Sequence, residues 1–238
     1  MIARKGINEE EIATLYNSFC KKYKTLYDND TWLYIEDNFW TYVFSSGAPD
    51  ILMQIYTELD IESLKGNYYK RQLANLKNKF DIRCNILDVG SGMIPAFASL
   101  LAQEQLRLGT GTVTLYEPLL LTTEPKHRNM TLHKTKFTSD THIKEFDLLT
   151  GILPCGATES IIENACRNQK DFYIAMCGCT HFEYIPWGMY ATPEMYQDYV
   201  IDKTNRLLKE YDNGTLVVER LEGEKDLDYP ILYNRKKW

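Results

Sequence analysis

The sequence predicts a doubly wound α/β fold: a seven-stranded, mostly parallel sheet, preceded by an N-terminal helical extension. Two observations carry this. From Cys84 onward, short apolar runs alternate with helical stretches, the pattern of βαβ units and a parallel sheet. The first run, Asn85–Val89, ends in Gly90-Ser91-Gly92 just before a helix opens.

Before that point the chain reads as helical. Asn8 followed by Glu9-Glu10-Glu11 has the form of an N-cap with acidic first-turn residues, which suits the helix dipole. Ile12, Leu15, Tyr16, Phe19 and Tyr23 recur at helical spacing. A second helix over 31–44 is broken by Ser45-Ser46-Gly47-Ala48-Pro49. A third starts at Asp50, and a fourth, over 63–80, repeats Leu64, Tyr68, Leu73, Leu76 and Phe80. Residues 1–83 are therefore expected to form a helical cap or substrate region, and residues 84–238 the sheet domain.

Within 84–238 the expected strands are 85–89, 112–116, 130–134, 146–153, 172–177, 215–221 and 231–234. Helices are expected over 94–105, 157–168 and 193–211, with unusually little helix before the third strand. The last two strands are expected to close the sheet as an antiparallel hairpin.

Composition narrows the function classes. The chain has 238 residues, 44% hydrophobic and 25% charged, the balance of a globular protein with a core. Its formal charge of −6 lowers the expectation of tight nucleic-acid binding, which usually needs a basic face. The most basic stretches are 65–79 and the tail Asn234-Arg235-Lys236-Lys237. The 17 tyrosines crowd towards the front, suggesting extra packing or a substrate-facing surface there. No window has the apolar length to span a bilayer, and Met1-Ile2-Ala3-Arg4-Lys5-Gly6 runs directly into a charged helix rather than a signal peptide. A reduced, cytoplasmic protein without membrane attachment is expected, its six cysteines not forming a disulfide framework.

The strand–glycine turn–helix Asn85-Ile86-Leu87-Asp88-Val89-Gly90-Ser91-Gly92 carries the first chemistry. Glycines let backbone pass close to a ligand, and a helix N-terminus offers free N–H donors. The phosphate-loop spacing Gly-x-x-x-x-Gly-Lys is absent, and Pro95 stands where a dinucleotide motif would place its third glycine. The next strand ends Thr114-Leu115-Tyr116-Glu117-Pro118, putting an acidic residue about 25 residues beyond the glycine turn, near the spacing of a ribose-binding carboxylate.

The segment around Asp88, Gly90, Ser91 and Gly92 resembles motif I of the class I methyltransferases that use S-adenosyl-L-methionine. The resemblance implies a Rossmann-like sheet with the cofactor at those four residues. An acidic residue plus backbone donors suits the ammonium and carboxylate of its methionine end. Glu117 would hold the ribose hydroxyls. Asp140 would accept from the adenine amino group, with Thr138 or Ser139 as alternatives.

The stretch 146–159, with Pro154-Cys155-Gly156 at its turn, and the later strand end Met176-Cys177-Gly178-Cys179-Thr180-His181 both fall at the sheet's carboxyl edge. This pairing is similar to a methyltransferase subgroup that includes enzymes methylating a 2′-hydroxyl of the tRNA acceptor stem. Their zinc-binding accessory modules have no counterpart in this sequence. The resemblance implies methyl transfer to an acceptor, a small molecule or RNA, beside Cys155 and His181. A non-catalytic cofactor-binding module, or other chemistry with the same cofactor, are the competing readings. Cys155 is either a nucleophile or a core thiol, and His181 either a general base or a capping or packing residue. No metal is expected, because Cys177-x-Cys179 lacks the Cys-x-x-Cys pairs of a zinc ribbon. Phe182, Tyr184, Trp187 and Tyr190 follow in a turn-rich loop suited to stacking on a planar acceptor or to packing.

Overall fold

The computed structural model describes residues 64–92, 95–120, 123–176, 192–221 and 229–236, together with Asn17 and Lys21. The helices expected over 8–23, 31–44 and from Asp50 lie outside the described residues, apart from Asn17 and Lys21, which are helical. A compact unit covers Tyr69–Trp238, and the preceding residues are grouped separately.

The described elements follow the expected alternation: α1 (Leu64–Lys79), β1 (Asn85–Val89), α2 (Ala96–Leu108), β2 (Thr112–Tyr116), β3 (Met130–His133), β4 (Leu148–Ile152), α3 (Thr158–Arg167), β5 (Asp171–Ala175), α4 (Pro193–Glu210), β6 (Thr215–Glu219) and β7 (Ile231–Arg235). A 3₁₀ turn, Cys155–Ala157, leads into α3. α2 runs three residues beyond its expected end because Gly109, at φ +79°, is its left-handed cap, its N–H donating to the Gln105 and Leu106 carbonyls. α4 starts where a cap says it should: the Thr192 side chain accepts from the Met195 N–H, and Pro193 supplies a first-turn proline.

The seven strands form one sheet in the order β3-β2-β1-β4-β5-β7-β6. β1 pairs in parallel with both β2 and β4, so the strand order reverses between β1 and β4. β7 inserts antiparallel between β5 and β6. Central strands buried on both faces read as continuous apolar runs, and every residue of β4 is buried.

The alternation of side chains divides the core in two. Leu87, Val89, Leu149, Ile174 and Leu232 pack with Ile161 and Ile162 of α3 and Val200 and Leu208 of α4. On the other face one register row crosses the sheet as Asp88, Thr150, Tyr173 and Tyr233. α1 reaches this row through hydrogen bonds: the buried Tyr173 hydroxyl donates to Gln72 Oε1 at 2.6 Å and accepts from Asn75 Nδ2 at 3.0 Å. Asn75 also donates to Glu219 at 2.6 Å, tying the same helix to β6. The Tyr69 and Phe97 rings, 6.1 Å apart, join α1 to α2.

Candidate functional site

The strand order reverses between β1 and β4, and open α/β sheets take ligands in the crevice beyond the carboxyl ends of their strands at such a reversal. β1 ends there in Asp88-Val89 and the glycine turn, and β4 is followed there by Leu153 and Pro154.

Asp88 is fully buried, and both its oxygens are engaged. The Ser91 hydroxyl donates to Oδ2, and the Thr150 hydroxyl donates to Oδ1 at 2.7 Å. Burial pushes this carboxyl up to about 6, against the opposing effect of the two hydroxyls. Asp88 thus braces the turn from beneath, pinning Ser91 to β1 and to β4.

Gly90 lies at φ +73°, its N–H donating to the Tyr116 carbonyl at 3.1 Å. A Cβ here would stand 2.9 Å from Pro154 Cα and 3.1 Å from its carbonyl oxygen, so only glycine lets the two strand ends meet this closely. Leu153, just before that proline, is a non-glycine residue at φ 59°, and its N–H donates to the Ala175 carbonyl at 2.8 Å. A left-handed leucine costs about 1 kcal/mol or more and is held by its surroundings, here at the edge of the crevice.

Glu117 completes the cluster. It is only 5% exposed, and its carboxylate accepts from the Gly92 N–H at 2.9 Å and from the Leu119 N–H at 2.8 Å. Burial raises its pKa, opposed by these two amides. Among the described residues each oxygen accepts one backbone N–H, which leaves a second lone pair on each and two acceptor sites side by side. Such a group suits a vicinal diol and repels a phosphate. α2 opens at Pro95, three residues after Gly92, with no side-chain cap and no acidic residue in its first turn. Its leading N–H groups therefore favour an anionic partner.

The structure brings Asp88, Gly90, Ser91, Gly92 and Glu117 together. It does not bring Asp140 to them. That side chain is 89% exposed and turns to Arg167, 3.5 Å away. The turn around it is held instead by Asn164, whose Nδ2 donates to the Thr141 carbonyl at 2.7 Å. Cys155 lies in the 3₁₀ turn that follows Pro154, with the Ala157 N–H donating to the Pro154 carbonyl at 2.9 Å. His181 and the aromatic loop after it lie outside the described residues. Two contributors escaped the sequence reading. Thr150 is hidden in an apolar run, and Pro154's contact with Gly90 has no local signal. Among the described residues no cluster of His, Cys, Asp or Glu has the form of a metal site, and no helix is long and apolar enough to cross a membrane.

No family model and no curated protein matches the chain. Among solved structures it is similar to a SAM-dependent methyltransferase from Aquifex aeolicus, at 14% identity over 70% of this chain and 88% of that one, with a TM-score of 0.44. It is similar to the antibiotic-resistance methyltransferase Kmr at 14% identity, over 70% and 92% of the two chains, TM-score 0.43. A third similar structure, the precorrin-6y C5,15-methyltransferase from Geobacter metallireducens, shows 15% identity over 71% and 86%, TM-score 0.43. The strand order, with β7 antiparallel beside β5, is the seven-stranded, mostly parallel α/β sheet that the sequence predicts.

Proposed function

We propose that the chain binds S-adenosyl-L-methionine at the crevice between β1 and β4 and transfers its methyl group to an acceptor. The observation that carries this is the Glu117 carboxylate, fastened to the glycine turn through the Gly92 N–H and left with two adjacent acceptor sites. The ribose hydroxyls of the cofactor match that pair. Asp88 would keep the turn in shape through Ser91 and Thr150. The leading N–H groups of α2 would meet the methionine carboxylate.

When bound, the cofactor supplies a sulfonium, a strong leaving group for in-line methyl transfer. The protein's share is then positioning, with a base needed only for an acceptor that must lose a proton. Pro154-Cys155-Gly156 is the proposed acceptor floor, because Pro154 abuts Gly90. His181 is the proposed base for an acceptor that needs one.

Calorimetry with S-adenosylmethionine and S-adenosylhomocysteine, on wild type and Gly90→Arg, tests the cofactor. Binding by wild type and its loss in the variant is expected; equal binding by both would remove the reading. Methyl uptake from labelled cofactor into small molecules and bulk RNA, with Cys155→Ala and His181→Ala alongside, tests the acceptor position. Turnover unchanged in both variants would move the chemistry elsewhere along the sheet edge.

A further inference from the structure

The first turn of α3, immediately after the Pro154–Ala157 turn, holds a second charged cluster that the cofactor does not use. Glu159 is only 7% exposed. Its Oε2 accepts from Lys203 Nζ at 2.5 Å and from the Tyr199 hydroxyl at 3.1 Å, both donors coming from α4. Lys203 also binds Glu163 Oε1 at 2.5 Å, one turn further along α3. Glu159 Oε1 is closed off from water and has no hydrogen-bond partner among the described residues.

An unpaired buried acceptor of this kind is costly, and an ionised carboxylate oxygen takes only donors. Two carboxylates share one ammonium here, so the cluster carries a net negative charge and favours a cationic donor. Burial opposes the charge on Lys203, but its bonds to Glu159 and Glu163 outweigh that and raise its pKa, so the ammonium is fixed. Tyr199 is 38% exposed, and Lys203 Nζ lies 6.0 Å from its ring centre. The ring is therefore a planar face at the outer side of the cluster, suited to an aromatic or cationic group. Its 3.1 Å bond to Glu159 Oε2 is the longest in the cluster, and an amine reaching the carboxylate would have to displace it.

We propose that Glu159 recognises the methyl acceptor, and that the acceptor is a small molecule carrying a protonated amine: Glu159 Oε1 takes its N–H, and Tyr199 covers the adjoining group. This rests on the methyltransferase reading only in calling the bound molecule an acceptor. The amine site itself stands on α3 and α4.

Isothermal titration of the full chain with benzylamine, benzyl alcohol and benzoate tests it, without cofactor and again with S-adenosylhomocysteine. Benzylamine is expected to bind without cofactor and ahead of both isosteres. Glu159→Gln should weaken it about tenfold, the loss expected for one charge-assisted hydrogen bond. Lys203 keeps Glu163 in that variant. Tyr199→Ala, at an exposed position, is the companion should Glu159→Gln fail to fold, and it should also weaken benzylamine. No benzylamine binding, equal affinity for benzoate, or unchanged affinity in the folded variants would overturn the proposal. Failure of S-adenosylhomocysteine to bind, with benzylamine still bound through Glu159, would overturn the methyltransferase reading and leave the amine site standing.

Discussion

Thr150 stands opposite Asp88 on the neighbouring strand and donates its hydroxyl to Asp88 Oδ1 at 2.7 Å. With Ser91 on the other oxygen, the carboxylate is fully paired, yet its burial still favours the protonated form. The folded state therefore holds a proton up to about 6, whereas the unfolded chain releases it near 3.8. For a carboxyl raised on folding, stability is greatest below the unfolded value and falls as pH rises through this window. The expected loss is on the order of 2–3 kcal/mol between pH 4 and pH 7. Urea midpoints of wild type and Asp88→Asn at the two pH values measure it. A difference between the proteins that does not change with pH would contradict it.

Gly90→Ala should destabilise the fold by about 2–4 kcal/mol, combining a left-handed alanine with overpacking against Pro154. The new Cβ meets backbone rather than a flexible side-chain tip, so relief requires one strand end to move. Denaturant unfolding reads the loss. A change below ~0.5 kcal/mol would show that the two strand ends are not held together.

Glu117→Ala should weaken S-adenosylmethionine by ~1.5–3 kcal/mol, the scale of losing a charged hydrogen-bond acceptor. It should also speed hydrogen exchange at the Gly92 amide, which donates to Glu117 at 2.9 Å. Faster exchange with an unchanged dissociation constant would confine Glu117 to shaping the turn.

Tyr173→Phe should cost about 1–2 kcal/mol, because the buried Gln72 carbonyl and the Asn75 amide both lose a partner. The cost falls on the bond between α1 and the sheet. Thermal and urea unfolding would show it, and full wild-type stability would mean that the helix is held by apolar contact alone.

The sheet was legible because its signals are local. Asn85–Val89 and Phe146–Leu153 are apolar runs at strand length, and the turn after β1 announces itself in two glycines. Glu117 was found by its distance from that turn. What was hidden depends on register or on distant partners. Thr150 reads as one polar residue in an apolar run, and its role appears only when β4 pairs with β1, 62 residues away. Glu159 was placed in a helix's first turn from sequence, but Tyr199 and Lys203, 40 and 44 residues on, give it its chemistry. Asp140 was chosen by position after the third strand; Arg167, 27 residues later, draws its side chain outward, and no local pattern foretells that.

The place of β7 between β5 and β6 constrains the order of events during synthesis. β6 leaves the ribosome before β7, the one described strand it pairs with. Until Ile231–Arg235 emerges, the edge of β5 stays open, with Ile174 and Ala175 unpaired on that side. β7 is thus the closing piece, and the nascent chain carries an adhesive sheet edge until that strand is made. Ribosome stalling or proteolytic cleavage just before Ile231 would leave β5 without its β7 partner and release a chain prone to self-association.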